Sequence, residues 1–531
     1  MRTNTSLRRR WLYGLIGLTG LLIVLAVVAL QALKSETARS RIATALSSAL
    51  GQPVTIGGLS ASVFHRPSLS ASAIQVGGAD PSAAPGVSLA AVRIVPRLSS
   101  LIPGRTLTID RVDLRGLVIS VRRDSGGRWL VPVPPTPKAE SDTSEGKSGI
   151  DLNQLRAREG AIRVVDEQLR APNGGPTVTM IKGVEADMQA VGGEVKVSRF
   201  AGRLGQSVVT GSMDIGTEGA ELGLHSESIH NADLPALFAL AGMPVSPSLS
   251  IAGKAPFEMK IAIAPGLASY TVVGQAAIER VKFGTLSFEQ VQAPFQLKRA
   301  VFTLDPLTFT TYGGSQRGVV SVDLNSPTPV YSIRSTVQGM DVDQALSANT
   351  TMKNFLAGRG SMAGDVTGSG TTAAALKRTL KGTLKFELEK GVIRNFPLLA
   401  AINQSLGITT GTGQDTEFQR LSGTATIAGG KARTNDLALR AGELTLAGKG
   451  TVDFDRRLDL RMKASASPGM SNQLVQRVGV LKQLSNDKGQ VTFPVSVGGT
   501  TTEPKFSVDL GSLAQKQLEQ KVEKQVLDLM Q

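Results

Sequence analysis

The sequence predicts a mainly β protein: one N-terminal transmembrane helix followed by an elongated, curved antiparallel β-sheet body with an apolar groove and a few short helices. Three observations lead to this fold class. An uncharged apolar run lies near the N-terminus, apolar and polar residues alternate in many short stretches from residue 150 to residue 510, and glycine is frequent, with 58 among 531 residues. Dispersed glycine and period-two alternation favour many strands joined by turns.

The composition excludes several kinds of chemistry. The chain has no cysteine, which removes disulfides, thiolate metal sites and cysteine nucleophiles. Three histidines and 4% aromatic residues leave little for acid–base catalysis or base stacking. Lys and Arg number 58 against 43 Asp and Glu, a net charge of +15. Because no basic run is interleaved with aromatics, this charge suits anionic lipid headgroups better than nucleic acid, and no nucleic-acid partner is expected.

The N-terminal segment is interpreted as a membrane anchor. Residues 12–33 carry no charge, and at ~1.5 Å per residue they reach roughly 33 Å, enough for a ~30 Å hydrocarbon core. A cleaved signal peptide would have a shorter apolar region of about 7–15 residues. We therefore predict a cytoplasmic tail over residues 1–10 and an uncleaved span over 11–33. Because arginines at 8–10 precede the span, the body is expected outside the cytoplasm: a single-pass protein of the inner (plasma) membrane with its C-terminal body in the periplasm.

The body is predicted to begin with a β domain over residues 34–131. Apolar residues at spacings of three and four predict an amphipathic helix near its start: Ala38, Ile42, Ala45, Leu46, Ala49 and Leu50. This helix should end at Gly51. Two alternating runs, 107–114 and 117–121, then predict strands separated at Arg115-Gly116.

Composition divides the rest of the chain. Residues 132–149 are rich in proline, serine and charge, which predicts a flexible linker or loop. A central β-repeat region over 150–345 and a C-terminal β region over 346–510 follow. Residues 395–403 are predicted to form a short apolar helix, and 511–531 an amphipathic helix with its apolar residues on one stripe.

Alternation in the C-terminal β region gives each strand one dry and one wet face. Gly-Thr pairs at Gly382, Gly423 and Gly450 are interpreted as strand starts in an irregular strand–turn repetition rather than a solenoid. The dry faces have two interpretations that stay open: a closed core, or an apolar trough suited to acyl chains at about 0.8 kcal/mol per buried methylene. The candidate lipid-groove lining residues are Leu384, Phe386, Leu388, Leu444, Leu446, Val452, Phe454, Leu458, Leu460 and Met462.

Motifs that resemble catalytic or cofactor sites are weak. His225 and His230 are five residues apart, so in an extended segment their side chains would point to opposite faces. Gly146-Lys147-Ser148 lacks the first glycine of a phosphate loop, and Gly368-Ser-Gly370 lacks the context of a dinucleotide loop and favours a β-turn. No nucleophile elbow or HExxH motif occurs. We therefore predict no catalytic residue, no cofactor and no metal, and we expect that the protein is not an enzyme.

Motifs spread over most of the chain resemble one known family. The first set, after the anchor and the amphipathic helix, is GQPVTI at 51–56, PSLS at 67–70, LTIDRVDLRG at 107–116 and GRW at 127–129. The second set is TYGG at 311–314, GVVSVDL at 318–324, LKGTLKF at 380–386 with Gly391, FPVSVGG at 493–499 and EPKF at 503–506. In this order, together with the anchor, they resemble the AsmA family, so 34–131 and 346–510 are expected to be AsmA-like.

The resemblance implies an inner-membrane protein with a periplasmic, groove-forming β body, similar to bridge-like lipid transfer proteins. It implies binding or transfer of lipid acyl chains, from phospholipid or lipopolysaccharide, in support of outer-membrane biogenesis. An alternative role is a scaffold or regulator of outer-membrane protein assembly or targeting without lipid transfer, with outer-membrane assembly proteins as partners. With 531 residues the chain is far shorter than the largest members of that family.

Overall fold

In a computed structural model, strands make up most of the residues that the structure describes. The structure describes residues 36–50, 52–62, 67–77, 86–97, 108–126, 129–130, 151–152, 154–171, 174–191, 194–216, 219–240, 245–264, 269–349, 354–394, 415–477, 479–500 and 503–508. These residues form 27 strands, five short α-helices and two 3-10 helices. The prediction of a mainly β protein with a few short helices is confirmed.

The described residues divide into two units. Unit 1 comprises those up to Glu279 together with Gln296–Arg299, and unit 2 comprises Arg280–Phe295 and those from Ala300 onward. The boundary falls within two strands, β15 (Tyr270–Phe283) and β16 (Leu286–Lys298).

The elements of unit 1 before this boundary are mostly strands. They are α1 (Glu36–Leu50), β1 (Val54–Ser62), β2 (Ser68–Val76), β3 (Gly86–Pro96), β4 (Thr108–Arg115), β5 (Val118–Arg123), β6 (Trp129–Leu130), β7 (Asp151–Leu152), β8 (Leu155–Arg170), β9 (Pro176–Val191), β10 (Glu194–Leu204), β11 (Ser207–Gly216), β12 (Gly219–Ser226), a 3-10 helix (Asn231–Asp233), α2 (Leu234–Leu240), β13 (Leu249–Ala252) and β14 (Phe257–Ile263).

Unit 2 continues with further strands, three α-helices and a 3-10 helix. They are β17 (Val301–Thr311), β18 (Gly314–Asp323), β19 (Val330–Asp341), α3 (Val342–Asn349), β20 (Leu356–Ser369), α4 (Ala373–Thr379), β21 (Lys381–Ile393), β22 (Thr416–Ala428), β23 (Lys431–Ala441), β24 (Leu444–Asp453), β25 (Leu458–Ala466), α5 (Pro468–Arg477), a 3-10 helix (Gly479–Leu484), β26 (Thr492–Gly499) and β27 (Pro504–Val508).

Helix α1 confirms the predicted amphipathic helix. Ile42 and Leu46 are buried in one apolar cluster with residues of β1 to β4, whereas Ala45, which was expected on the same stripe, is exposed. The helix therefore packs on the sheet through a narrower face than the sequence suggested. Its burial of two branched aliphatic side chains stabilises unit 1 by roughly 1.5–3 kcal/mol each.

The prediction of a wholly antiparallel sheet is wrong in unit 1. Strands β4 and β5 both run parallel to β8, with Val112 opposite Leu155 and Val118 opposite Ala161. Arg115-Gly116 therefore does not reverse the chain; Gly116, at a φ of 63°, only kinks it between two strands that point the same way. A parallel return needs a crossover of at least a dozen or so residues, and the segment between β5 and β8 is long enough to supply one.

Two of the glycine positions that were predicted to start strands lie inside them. Gly423 stands in the middle of β22 and Gly450 near the end of β24, and only Gly382 lies close to a strand start. A Cβ on Gly450 would come within 2.2 Å of the Asp459 carbonyl oxygen on the neighbouring strand. Glycine is needed there because two backbones approach closely, which is a common reason for glycine within a strand. Gly368-Ser-Gly370 is also not an isolated β-turn: it ends β20 and leads into α4.

Several predictions lie outside the described residues. They are the anchor at 11–33 with its tail at 1–10, the linker at 132–149 and the helices at 395–403 and 511–531. Across the stretches that the structure describes, no helix is both long and apolar enough to cross a membrane.

Candidate functional site

One face of the unit 2 sheet is mostly apolar from β17 to β27. Neighbouring strands are antiparallel throughout this stretch, so residues that lie opposite each other in the register share a face. The alternation predicted from the sequence is confirmed in β21, β24 and β25, where every second residue belongs to this face. The face can be followed across the strands as rows of facing residues.

One such row is buried except at the half-buried Leu421, and we call it the covered row. Its members are Gly360, Leu388, Leu421, Leu439, Leu446, Ala464 and Phe493. Leu446 and Ala464 are 0% exposed and Phe493 is 1% exposed. They share an apolar cluster with Leu474 of α5 and with Leu481 of the following 3-10 helix. The helical segment after β25 thus seals this end of the face with its own side chains.

A second row lies six residues further along each strand, roughly 20 Å away, and we call it the open row. Its members are Leu304, Val320, Ile333, Val366, Gly382, Ile427, Ala432, Val452 and Leu458. Ile333 is 38% exposed and the others are half-buried. The open row contains no charged or polar side chain, so it leaves aliphatic surface facing water. Exposure of apolar surface to water costs free energy, and a bound apolar molecule would remove that cost.

The ten predicted lining residues are distributed over both parts of this face. Leu388, Leu444, Leu446 and Met462 are buried in the apolar cluster. Phe386, Leu458 and Leu460 are half-buried and pack against that cluster, while Leu384 and Val452 are half-buried outside it. Phe454 lies beyond the end of β24.

Phe454 is held by α4, at the end of β24 that lies away from the covered row. The Lys377 ammonium of α4 lies 5.9 Å from the centre of its ring and 3.0 Å from the Asp455 carboxylate. The hydrogen bond from Lys377, with its positive charge, holds the pKa of Asp455 below its ordinary value. This contact joins α4 to the turn between β24 and β25, next to Val452 and Leu458 of the open row.

Sequence reasoning missed the half of the open row that lies on β17 to β20, including Leu304, Val320, Ile333 and Val366. A signal was present, because residues 318–324 alternate in the way that the lining strands do. The signal is weakened because Gln316 on β18 and Ser335 on β19 place polar side chains on the same face.

The opposite face of the same sheet is polar and carries ion pairs between strands. Arg334 on β19 contacts Asp365 on β20 at 2.7 Å, and Arg420 on β22 contacts Glu387 on β21 at 2.7 Å. These pairs are partly exposed and contribute little to stability individually. They keep that face wet, so the unit 2 sheet is amphipathic as a whole.

A bulge in β23 is held by a carboxylate on the wet side. The register shifts between Thr434 and Leu437, and Asp436 in that bulge accepts hydrogen bonds from the Thr424 backbone N–H at 2.7 Å and from the Thr434 hydroxyl at 3.2 Å. The bond from the Thr424 N–H lowers the pKa of Asp436. The carboxylate thus replaces ladder hydrogen bonds that the bulge interrupts.

His225 and His230 do not come together as a metal site. His225 on β12 is exposed, with its Nδ1 3.6 Å from the Glu258 carboxylate, and His230 is exposed ahead of the 3-10 helix at 231–233. In the part of the chain that the structure describes, no group of three or more His, Cys, Asp or Glu side chains could hold a metal ion.

Comparison with known families agrees with the apolar-faced sheet. The model of the AsmA family matches residues 271–437, which run from β15 into β23. The match supports assignment of this region to the AsmA family. The AsmA match covers less than half of the 531 residues, and no curated protein matches the chain. AsmA membership suggests membrane association and a role in outer-membrane or lipid-related processes.

Proposed function

We propose that the protein binds lipid acyl chains on the open row, with the lipid headgroups in water, as a single-pass inner-membrane protein whose body lies in the periplasm. The single observation that carries this proposal is the open row itself: nine facing positions without a charge, half-buried or exposed, beside a covered row that the chain seals with its own helices. The role needs no catalytic residue, cofactor or metal.

The geometry of the row suits a chain-like apolar ligand. Strands lie about 4.8 Å apart, so nine strands place the ends of the row roughly 38 Å from each other along the sheet. An acyl chain laid across the strands would bury its methylenes against one aliphatic side chain after another, at about 0.8 kcal/mol for each methylene. Such binding is non-directional, which agrees with the lack of polar side chains in the row.

Transfer of these lipids in support of outer-membrane biogenesis is the finer part of the proposal, and it is supported by the AsmA match alone. The first experiment therefore addresses binding. A photo-crosslinking amino acid is placed at Ile333 in the full chain, cells are irradiated, and adducts are identified by mass spectrometry. The matched control is Arg334, the next residue, which is exposed on the wet face and so points away from the row.

We expect lipid adducts, from phospholipid or lipopolysaccharide, at Ile333 and not at Arg334. Lipid adducts at both positions would show that the label only reports the nearby membrane, and their absence from both would overturn acyl-chain binding. A protein adduct at Ile333 in place of lipid would instead favour the scaffold role in outer-membrane protein assembly.

A further inference from the structure

A cluster of cations occupies the wet face of the same sheet, behind the apolar face. Lys449 lies on β24, and Arg461 and Lys463 lie on β25. All three are exposed, and they project from the side opposite Leu446 and Met462 because strand residues alternate between faces. Lys449 and Arg461 are directly opposite each other in the register. We call these three residues the basic cluster.

The basic cluster is poorly compensated within the chain. Like charges directly opposite each other on neighbouring strands are destabilising. Asp459, two residues before Arg461, approaches its guanidinium only to 3.7 Å. Among the residues that the structure describes, no carboxylate forms an ion pair with Lys449 or Lys463, and the residues facing Lys463 across the strands are Ala447 and Pro494. An external anion would relieve this repulsion.

The surroundings of the basic cluster indicate which anion fits. Its neighbours on the wet face include small polar residues, such as Thr445, Ser496 and Ser507, and two carboxylates, Asp459 and Asp436 of the β23 bulge, neither of which forms an ion pair with Lys449 or Lys463. Single-stranded nucleic acid binds through aromatic stacking platforms, and protein interfaces have large apolar anchors at their centre; the wet face of β24 to β26 offers neither. Exposed cations among hydroxyl groups match the phosphates at a bilayer surface, where each cation contributes independently of sequence or shape.

We propose that the basic cluster binds the surface of a bilayer that contains anionic phospholipid. The binding is electrostatic and is separate from acyl-chain binding, because the two use opposite faces of the sheet. It depends on ionic strength, since the screening length shortens from about 10 Å at 0.1 M salt to about 3 Å at 1 M.

The test uses the full chain, carried in nanodiscs of pure phosphatidylcholine, and vesicles made of equal parts phosphatidylcholine and phosphatidylglycerol. Binding to these vesicles is measured by co-flotation, and vesicles of phosphatidylcholine alone serve as the comparison. The variant is the triple substitution Lys449→Gln, Arg461→Gln and Lys463→Gln. The matched control removes the same charge from separate exposed sites, with the substitutions Lys282→Gln, Arg317→Gln and Arg359→Gln.

Each cation near an anionic surface changes affinity about fivefold, so the triple variant should bind the anionic vesicles about 100-fold more weakly. The control variant should lose far less, and both should unfold at the temperature of the unsubstituted chain. Equal losses in the two variants would show that only net charge matters and would overturn the proposal. Equal binding to neutral and anionic vesicles, or unchanged binding by the cluster variant, would overturn it as well. None of these results alters the crosslinking outcome at Ile333, so the two proposals can fail separately.

Discussion

Truncation of Leu446 and of Ile333 to alanine should have very different effects, because one side chain is sealed and the other faces water. Leu446 is 0% exposed and packs within the cluster that includes Leu439, Ala464 and Phe493. Leu→Ala at such a site costs about 2–5 kcal/mol, the lost transfer free energy plus the cavity left behind. Ile333 is 38% exposed, so it has less apolar area to return to water, and its truncation should cost about 1 kcal/mol.

The assay must report on unit 2. Both tryptophans, Trp11 and Trp129, precede it in the sequence, so tryptophan fluorescence does not follow its unfolding. Hydrogen exchange measured by mass spectrometry does, because peptides from β24 and β25 report the opening of the strands themselves. A cost of about 2–5 kcal/mol corresponds to roughly 30- to 5,000-fold faster exchange in these peptides for Leu446→Ala. For Ile333→Ala the acceleration in β19 should stay near fivefold.

Comparable acceleration in the two variants would refute the distinction between a covered and an open row. It would mean that the side chains of both rows are equally packed by the chain in solution. The acyl-chain proposal would then lose the observation on which it rests, since a row sealed by the protein has no surface left to offer a lipid.

Two further predictions concern the backbone of the sheet. Gly450→Ala should destabilise unit 2 by about 1–3 kcal/mol, because the new methyl group would meet the neighbouring strand, whereas Gly498→Ala, with 4.0 Å to its nearest neighbour, should have little effect in the same exchange assay. Asp436→Ala should destabilise the β22–β23 pair at neutral pH by leaving the Thr424 N–H without its carboxylate. Because the folded pKa of Asp436 is lowered, the stability that its charge supplies is complete above the unfolded pKa of about 4 and is lost as pH falls through the folded pKa. The difference in unfolding free energy between Asp436→Ala and the unsubstituted chain should therefore narrow in acid. A difference that stays constant down to the lowest pH would contradict the role given to the Asp436 charge.

The sequence predicts well those features that depend on local periodicity. The i, i+4 spacing of Ile42 and Leu46 identified α1, and period-two alternation identified both the strands and their dry faces in β21, β24 and β25. The direction of β5 was not predictable in the same way, because a glycine at positive φ kinks a strand in one context and reverses it in another. Only the pairing with β8 decides between the two at Gly116.

The division of the lining into covered and open parts could not be predicted, because it depends on contacts between distant residues. Leu446 and Val452 belong to the same strand and the same dry phase, and nothing in their local sequence separates them. Leu446 is sealed by Leu474 and Leu481, which lie beyond β25 and return to the sheet through α5 and the 3-10 helix. Alternation specifies the face that is dry, while tertiary packing determines how much of it remains accessible.

Glycines interrupt the aliphatic surface of the dry face. At Gly364, Gly382 and Gly450 the dry face is main chain instead of aliphatic side chain. The facing residues on one side are Leu384, Val366 and Leu460, respectively. Main chain that is held by inter-strand hydrogen bonds cannot change its conformation as a side chain changes its rotamer. A Cβ at Gly364 would come within 3.1 Å of Leu384 Cδ1, and one at Gly450 within 2.7 Å of Leu460 Cδ2. The neighbouring leucines therefore lean over bare main chain, and the height of the dry face at these positions is set by the backbone.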